Sequence, residues 1–539
     1  MDTVFQAFAD SAVRHAGADF LLTESVTAAA YGVPAGTLRY GVALAEIQAL
    51  RDRYAAAGYG HGHRVGLLLE NRPAFLLHWF ALNALGVSVV PINAEMRHAE
   101  WVYLIGHSEI CLAVTLPEKA AGLQAAAREA GVGFATTTAD DTLVPRAPVP
   151  PPLAGAPNVD SECALLYTSG TTGRPKGCRL ANDYFLRAGR WYLALGGLAA
   201  VRPGQERVIT PLPLSHMNAM AFSTLVAVMS GGCLVQLDRF HPKSWWASVR
   251  ESGATIAHYL GVMPAMLLSA APDPADRDHQ VRFGFGAGVD RRNHAPFEER
   301  FGFPLLEAWA MTETGAAACV MANHEPRQVG THCFGRPEAF MELRLVDEHG
   351  ADVPDETPGE LLVRSAGPEP RRGFFSGYLK DEAATDEAWA GGWFHTGDVV
   401  RRDAQGQLHF VDRRKNVIRR SGENISAVEV ESVLNQHPAV KTAAVAAAPD
   451  AVRGDEVLAC IVPREPIAPA EQPALAAHIV AHALAQLAYF KAPGYVAFVD
   501  ALPLTVSQKI QRGALRELAR TLPGQPGCHD TRALKKRQD

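Results

Sequence analysis

The chain has 539 residues, of which 48% are hydrophobic and 20% charged, with a formal net charge of −6. These are the proportions of a globular protein with several cores, and they exclude extended disorder. The acidic balance excludes a dedicated nucleic-acid binder, which carries a basic face, and gives no support for an anionic membrane as partner.

Taken in chain order, the N-terminus lacks a basic region followed by an apolar run, so no signal peptide is expected. Arg64–Leu69 reads as a strand, Pro73–Leu85 as a helix and Val87–Pro91 as the next strand, which is a βαβ unit and predicts a largely parallel sheet. The most apolar long stretch, Phe75–Ile92, is interrupted by His78, Asn83, Gly86 and Ser88, so a buried helix and strand are expected rather than a membrane span. Val144–Pro157, rich in Pro and Ala, is expected to be a surface connection. From Gly335 the texture shifts to short strand-like runs (Met341–Val346, Gly359–Val363, Gln407–Val411), which predicts an antiparallel, barrel-like region.

A charged stretch at Asp412–Arg420 marks a further boundary. Beyond it, Ser426 and Glu429 have the spacing of a capping box that opens a helix with Val430, Val433 and Leu434 on one face. A small α+β unit is expected over about 416–520, and the tail ending Lys535-Lys536-Arg537 reads as solvated. The eight cysteines form no CxxC pair and no histidine cluster has zinc spacing, so reduced thiols and a cytoplasmic location are expected.

The most informative run is Tyr167-Thr168-Ser169-Gly170-Thr171-Thr172-Gly173-Arg174-Pro175-Lys176-Gly177. It joins a short apolar run to a helical pattern. Its glycines let backbone N–H groups approach phosphate oxygens, its hydroxyls donate, and Lys176 supplies charge. The spacing is not that of a Walker A loop, because Pro175 stands where glycine is required. Gly284-Phe-Gly286-Ala-Gly288 reads as a tight turn rather than a dinucleotide fingerprint. On these residues alone the loop binds phosphate or is a flexible surface loop.

The eleven-residue run resembles the phosphate loop of the adenylate-forming superfamily, which includes acyl-CoA synthetases, peptide-synthetase adenylation domains and luciferases. Further segments carry the same resemblance in order, across nearly the whole chain. Pro211–Asn218 resembles the segment whose histidine, here His216, lies beside the acyl pocket. Glu307–Thr314 resembles an aromatic-Gly-x-Thr-Glu motif, with Trp309 for the usual Tyr and Ala310 for the usual Gly. The resemblance implies that Trp309 stacks on adenine, Thr312 meets the α-phosphate and Glu313 binds Mg²⁺. Gly392–Asp398 resembles the ribose motif, with Asp398 taking both hydroxyls. In Phe410–Lys415, Arg413 matches a ribose and phosphate contact and Lys415 the hinge. Gly422 matches the loop lining the pantetheine tunnel. Leu502–Arg512 resembles the motif of the catalytic lysine, Lys509, with Gln508 for the usual Gly.

The resemblance implies an α/β fold with a large N-terminal part (parallel sheets with helices plus a distorted β-barrel, 1–414), a small mobile α+β domain (415–520) and a tail (521–539). It implies an ATP-dependent carboxylic acid:CoA ligase that forms an acyl adenylate and then a thioester, using ATP, Mg²⁺ and coenzyme A. The small domain is implied to rotate about Lys415 between the two steps. Lys509, Thr312, Glu313 and His216 are the expected catalytic residues. Thr168, Ser169, Gly170, Thr171, Thr172, Gly173, Lys176, Trp309, Asp398 and Arg413 are the expected nucleotide contacts. His216, Asn218, Phe222, Gly286 and Ala310 are expected near the pocket of a small carboxylic acid. Leu212–Ala221 and Ala488–Pro493 are similar to the carnitine/crotonobetaine-CoA ligase branch. A stand-alone adenylation enzyme serving a separate carrier protein is the alternative, and a nucleotide-binding pseudoenzyme is a more remote one. No oligomeric state is legible.

Overall fold

The computed structural model describes residues 2–146, 150–168, 174–413, 417–503 and 510–536; for Asp412 and Arg413 it describes the backbone alone. The packing divides the chain into two compact units. One comprises Met1–Ala94, Ile105–Leu166 and Gly177–Asp412; the other comprises Glu95–Leu104, Tyr167–Lys176 and Arg413–Asp539. The sequence reading draws the boundary at 414/415 and gives the second part no segment from earlier in the chain.

The first unit is built on three sheets. In one, the strands run Ala135–Thr137, Leu112–Thr115, Arg64–Leu68, Ser88–Pro91, Glu162–Thr168, Lys176–Ala181. Arg64–Leu68 pairs in parallel with both Ser88–Pro91 and Leu112–Thr115. The expected βαβ unit is present: Pro73, at the first turn where its missing N–H costs nothing, opens the helix Pro73–Ala84. Trp79 and Phe80 of that helix are fully buried, so the apolar stretch is core. Among the described residues no helix is long and apolar enough to cross a membrane.

The second sheet has eight strands in the order Val320–Met321, Leu305–Trp309, Phe283–Ala287, Ile256–Leu260, Arg207–Thr210, Cys233–Gln236, Asp19–Thr23, Gly36–Arg39. The Gly284–Gly288 run is therefore not the expected turn. Gly284 and Gly286 lie within a strand paired in parallel on both sides. The reason is close packing, since a Cβ on Gly286 would lie 2.3 Å from the Tyr259 carbonyl oxygen. The region after Gly335 forms a five-stranded sheet, with Cys333–Gly335 and Met341–Val346 at its two ends and described pairings that are antiparallel.

The second unit holds a six-stranded sheet around the long strand Gly454–Pro463. Strand alternation feeds two cores. Val457, Ala459 and Ile461 pack with Val430, Leu434, Ile479 and Val480. Leu458 and Cys460 pack with Leu515 and Ala519. Ser426 caps the helix Ala427–Leu434 by accepting from the Glu429 N–H. The expected capping box is only half made, because the Glu429 carboxylate turns to Lys491 at 2.8 Å instead. The tail also departs from the solvated reading: Cys528–Asp530 pairs with Tyr495–Phe498, and Lys535 is buried in an ion pair with Glu456. An edge strand and a buried charge pair hold that segment to the sheet. All eight cysteines are unpaired thiols.

Candidate active site

The strand Glu162–Thr168 enters the glycine-rich loop and the strand Lys176–Ala181 leaves it. Thr168 and Lys176 stand half-buried at those two strand ends. Ser169, Gly170, Thr171, Thr172 and Gly173 lie outside the described residues. At the loop's exit the Tyr103 hydroxyl donates to the Pro175 carbonyl at 2.8 Å, and the Arg174 guanidinium lies over the Tyr103 ring at 5.4 Å.

Trp309 ends the buried strand Leu305–Trp309, with its ring 6.2 Å from Phe334. Its indole Nε1–H donates to Asp398 Oδ2 at 3.0 Å. Asp398 is itself buried on Phe394–Arg402, where its backbone N–H donates to Thr396 Oγ1 at 3.0 Å. The Thr396 hydroxyl in turn donates to the Leu361 carbonyl at 2.6 Å. The residues read as adenine- and ribose-binding thus touch one another, although 89 positions separate them.

Glu313 is buried, and its Oε1 accepts the Tyr378 hydroxyl at 2.9 Å. Burial and the Glu313 charge push the Tyr378 phenol up, so it remains a donor at neutral pH. The Glu313 backbone carbonyl accepts from the Phe375 N–H at 2.9 Å, which ties the 374–378 segment to the motif. Thr312 is half-buried beside it, and Ala310 half-buried at the strand's end. Glu307 reaches the neighbouring loop: its two carboxylate oxygens accept from the Gly288 and Val289 N–H groups, both at 2.9 Å. Glu307 and Tyr378 are functional candidates that the motif reading did not assign. A carboxylate within an apolar strand run was a legible signal for Glu307; Tyr378 had none.

On the acyl side, His216 sits half-buried in the turn before Asn218–Ser223, a single wide turn with i→i+5 bonding. Phe222 is buried and meets Trp191 and Phe285 edge-on or tilted, at 5.4 and 5.5 Å. Asn218 Oδ1 lies 2.7 Å from His258 Nδ1. His258 and its partners Tyr192 and Ser223 were not foreseen, although a histidine within the apolar strand Ile256–Leu260 was visible.

In the second unit, Ser421 and Gly422, with φ of 51° and 91°, form the two-residue turn between the antiparallel strands Val417–Arg420 and Glu423–Ser426. Two left-handed residues match the twist of a tight hairpin, which explains glycine there. Gly422 is exposed at the tip. Arg413 ends its strand, with its side chain outside the description; Lys415 and Lys509 lie outside the described residues. Arg512, three positions beyond Lys509, makes a bidentate pair with Glu431 at 2.5 and 2.7 Å. Lys491 is buried between Glu100 and Glu429, 2.6 and 2.8 Å away. Among the described residues no cluster of three or more His, Cys, Asp or Glu stands ready to hold a metal.

The family model of AMP-binding enzymes matches residues 23–379, and that of the AMP-binding enzyme C-terminal domain matches 429–509. The chain is 32% identical over 490 residues to a sulfoacetate–CoA ligase of Cupriavidus necator, covering 88% of this chain and 91% of that protein. It is 29% identical over 486 residues to a crotonobetaine/carnitine–CoA ligase of Escherichia coli, covering 87% and 91%. Its fold matches an o-succinylbenzoate CoA synthetase of Bacillus subtilis with a TM-score of 0.80 at 23% identity, covering 96% and 98%. It matches a malonyl-CoA ligase in complex with methylmalonyl-CoA and AMP with a TM-score of 0.71 at 27% identity, covering 90% and 96%. The chain belongs to the AMP-binding enzyme family.

Proposed function

We propose that this chain is an AMP-forming carboxylic acid:CoA ligase. The observation that carries the reading is the hydrogen bond from Trp309 to Asp398, which joins the adenine and ribose motifs into one buried unit. The relatives named as CoA ligases support CoA as the thiol acceptor. In the first step a carboxylate oxygen attacks the α-phosphorus of ATP; the bond to the bridging oxygen breaks and pyrophosphate leaves. In the second, the thiol of CoA attacks the acyl carbon and AMP leaves. The protein contributes orientation and charge stabilisation rather than a nucleophile.

In this reading Asp398 accepts from the ribose hydroxyls, its second interaction being fixed by Trp309. Thr312 donates to the α-phosphate. The loop from Thr168 to Lys176 holds the β- and γ-phosphates. Lys509 places its ammonium between the carboxylate and the α-phosphate, and Gly422 clears a path for the pantetheine arm. The Glu313 carboxylate, whose Oε1 accepts the Tyr378 hydroxyl, is a hard oxygen donor and would hold Mg²⁺. When bound, that ion offsets triphosphate charge. The reading places the enzyme in the cytoplasm.

The test is pyrophosphate release with Mg-ATP and a panel of short carboxylic acids, with and without CoA, the acyl product being identified by mass. Turnover that requires CoA and yields acyl-CoA is expected. A single turnover unaffected by CoA points to a carrier-protein acceptor, and silence across the panel overturns the ligase reading. Lys509→Ala is expected to lose adenylation while still making acyl-CoA from a synthetic acyl adenylate. Gly422→Leu is expected to do the reverse, with Gly422→Asn, which tolerates the left-handed turn, as the folding control.

A further inference from the structure

Behind Asn218 lies a buried polar relay. Tyr192, Ser223 and His258 are fully buried, whereas Asn218 is half-buried and forms the relay's open end. Tyr192 Oη is 3.1 Å from His258 Nε2, and His258 Nδ1 is 2.7 Å from Asn218 Oδ1 and 2.8 Å from Ser223 Oγ. Ser223 Oγ donates to the Asn218 backbone carbonyl at 3.3 Å.

The proton positions follow from counting donors and acceptors. The buried Tyr192 O–H needs an acceptor, and among the described residues the one in reach is His258 Nε2. Nε2 therefore carries no proton. Burial pushes the His258 imidazole down to about 3, so the ring is neutral and its single proton sits on Nδ1. That N–H donates to Asn218 Oδ1. The Asn218 carboxamide is thereby fixed with its oxygen inward and its NH₂ group outward, with no protein acceptor among the described residues.

We infer that the acyl side of the site presents an oriented hydrogen-bond donor, the outward NH₂ of Asn218, that selects short acids carrying a second hydrogen-bond acceptor (carboxylate, sulfonate, ether or carbonyl oxygen) over plain alkyl acids. This rests on the ligase reading and on residues 216–222 facing the acyl group. Asn218 touches the substrate; His258 and Tyr192 are positioning residues that act through Asn218. An alkyl chain here leaves the desolvated Asn218 NH₂ unpaired, and this penalty is what discriminates.

The test compares kcat/KM for acids of matched size: malonate, sulfoacetate and methoxyacetate against butanoate. The first two carry an anionic acceptor and the third a neutral one, which separates charge from hydrogen bonding. At least a tenfold preference for the acceptor-bearing acids is expected. Asn218→Ala is expected to bring the ratio close to one. Asn218→Asp keeps the shape and the bond from His258 but replaces the outward NH₂ with oxygen, so it is expected to disfavour malonate and sulfoacetate most. Tyr192→Phe frees the tautomer, so the ratio is expected to fall while nitrogen NMR of His258 loses its pure Nδ1–H signature. A wild-type enzyme that prefers butanoate, or a ratio unmoved in Asn218→Ala, overturns the inference while leaving the ligase intact. Should no acid release pyrophosphate, the ligase reading falls, and calorimetric binding of malonate against butanoate to wild type and Asn218→Asp decides the inference by itself.

Discussion

Trp309 donates its indole N–H to Asp398 at 3.0 Å, so the residue that departs from the family's usual tyrosine is bonded to the aspartate read as the ribose ligand. A buried carboxylate loses much when a donor is taken away, because a hydrogen bond to a charged group contributes about 1.5–3 kcal/mol. Trp309→Phe keeps an aromatic face and removes the donor. It is expected to raise the KM for ATP about tenfold or more, with the KM for the acid nearly unchanged. Initial-rate kinetics with each substrate varied in turn check this.

Tyr378 gives a second expectation. Its hydroxyl is held 2.9 Å from Glu313 Oε1, and removing it takes away one bond that orients the carboxylate. Tyr378→Phe is expected to raise the Mg²⁺ concentration for half-maximal pyrophosphate release several-fold and to lower kcat about tenfold, as misplacement of a charged ligand does. Glu313→Gln is expected to lose adenylation almost wholly. A Mg²⁺ titration of both variants separates orientation from charge.

These two contacts mark the limit of what the sequence discloses. The motifs name Trp309, Glu313 and Asp398 because short runs of chemistry-bearing residues are local. The βαβ unit over 64–91 is legible because parallel strands buried on both faces read as apolar runs. Contacts that link distant segments leave no periodic trace, which is why the Trp309–Asp398 bond, the Tyr378 hydroxyl and the relay through His258 emerge from coordinates alone. Local rules also mislead where tertiary packing overrides them. Gly284 and Gly286 suit a turn but serve a close strand contact, and Glu429 suits a capping box but is drawn to buried Lys491. Lys535 suits a solvated tail until Glu456 supplies a buried partner.

Arg512 bears on Lys509, the lysine proposed to be catalytic, through the chain itself. Its guanidinium grips both oxygens of Glu431, and Glu431 Oε1 also accepts from the Val445 N–H at 2.7 Å. This pair holds Arg512, which is three residues on from Lys509 in the chain. Arg512→Lys cannot reproduce the bidentate geometry. It is expected to lower kcat for adenylation about tenfold while changing the KM for ATP little, and to spare conversion of a preformed acyl adenylate. Half-reaction kinetics check this, and loss of both half-reactions together would assign Arg512 to stability instead.

Glu298 sets an acid limit for the first unit. Its two oxygens take the Arg327 guanidinium at 2.6 and 2.8 Å, and one also takes His294 Nε2 at 3.1 Å and the Leu305 N–H at 2.8 Å. Burial alone raises a carboxylate, but the Arg327 and His294 bonds outweigh it and bring Glu298 down to about 2. A carboxyl depressed on folding stabilises the native state above its unfolded value and loses that contribution as pH falls through the folded one. The window therefore runs from about 4.5 down to about 2. With the side chain mostly shielded from solvent, the contribution at neutral pH is on the order of 2–3 kcal/mol. Glu298→Gln is expected to lower Tm by several degrees at pH 7 and to flatten the fall in Tm between pH 4.5 and 2, since the variant has no charge to lose. Differential scanning calorimetry of both proteins across that range checks this, and parallel Tm profiles would show that another carboxylate sets the limit.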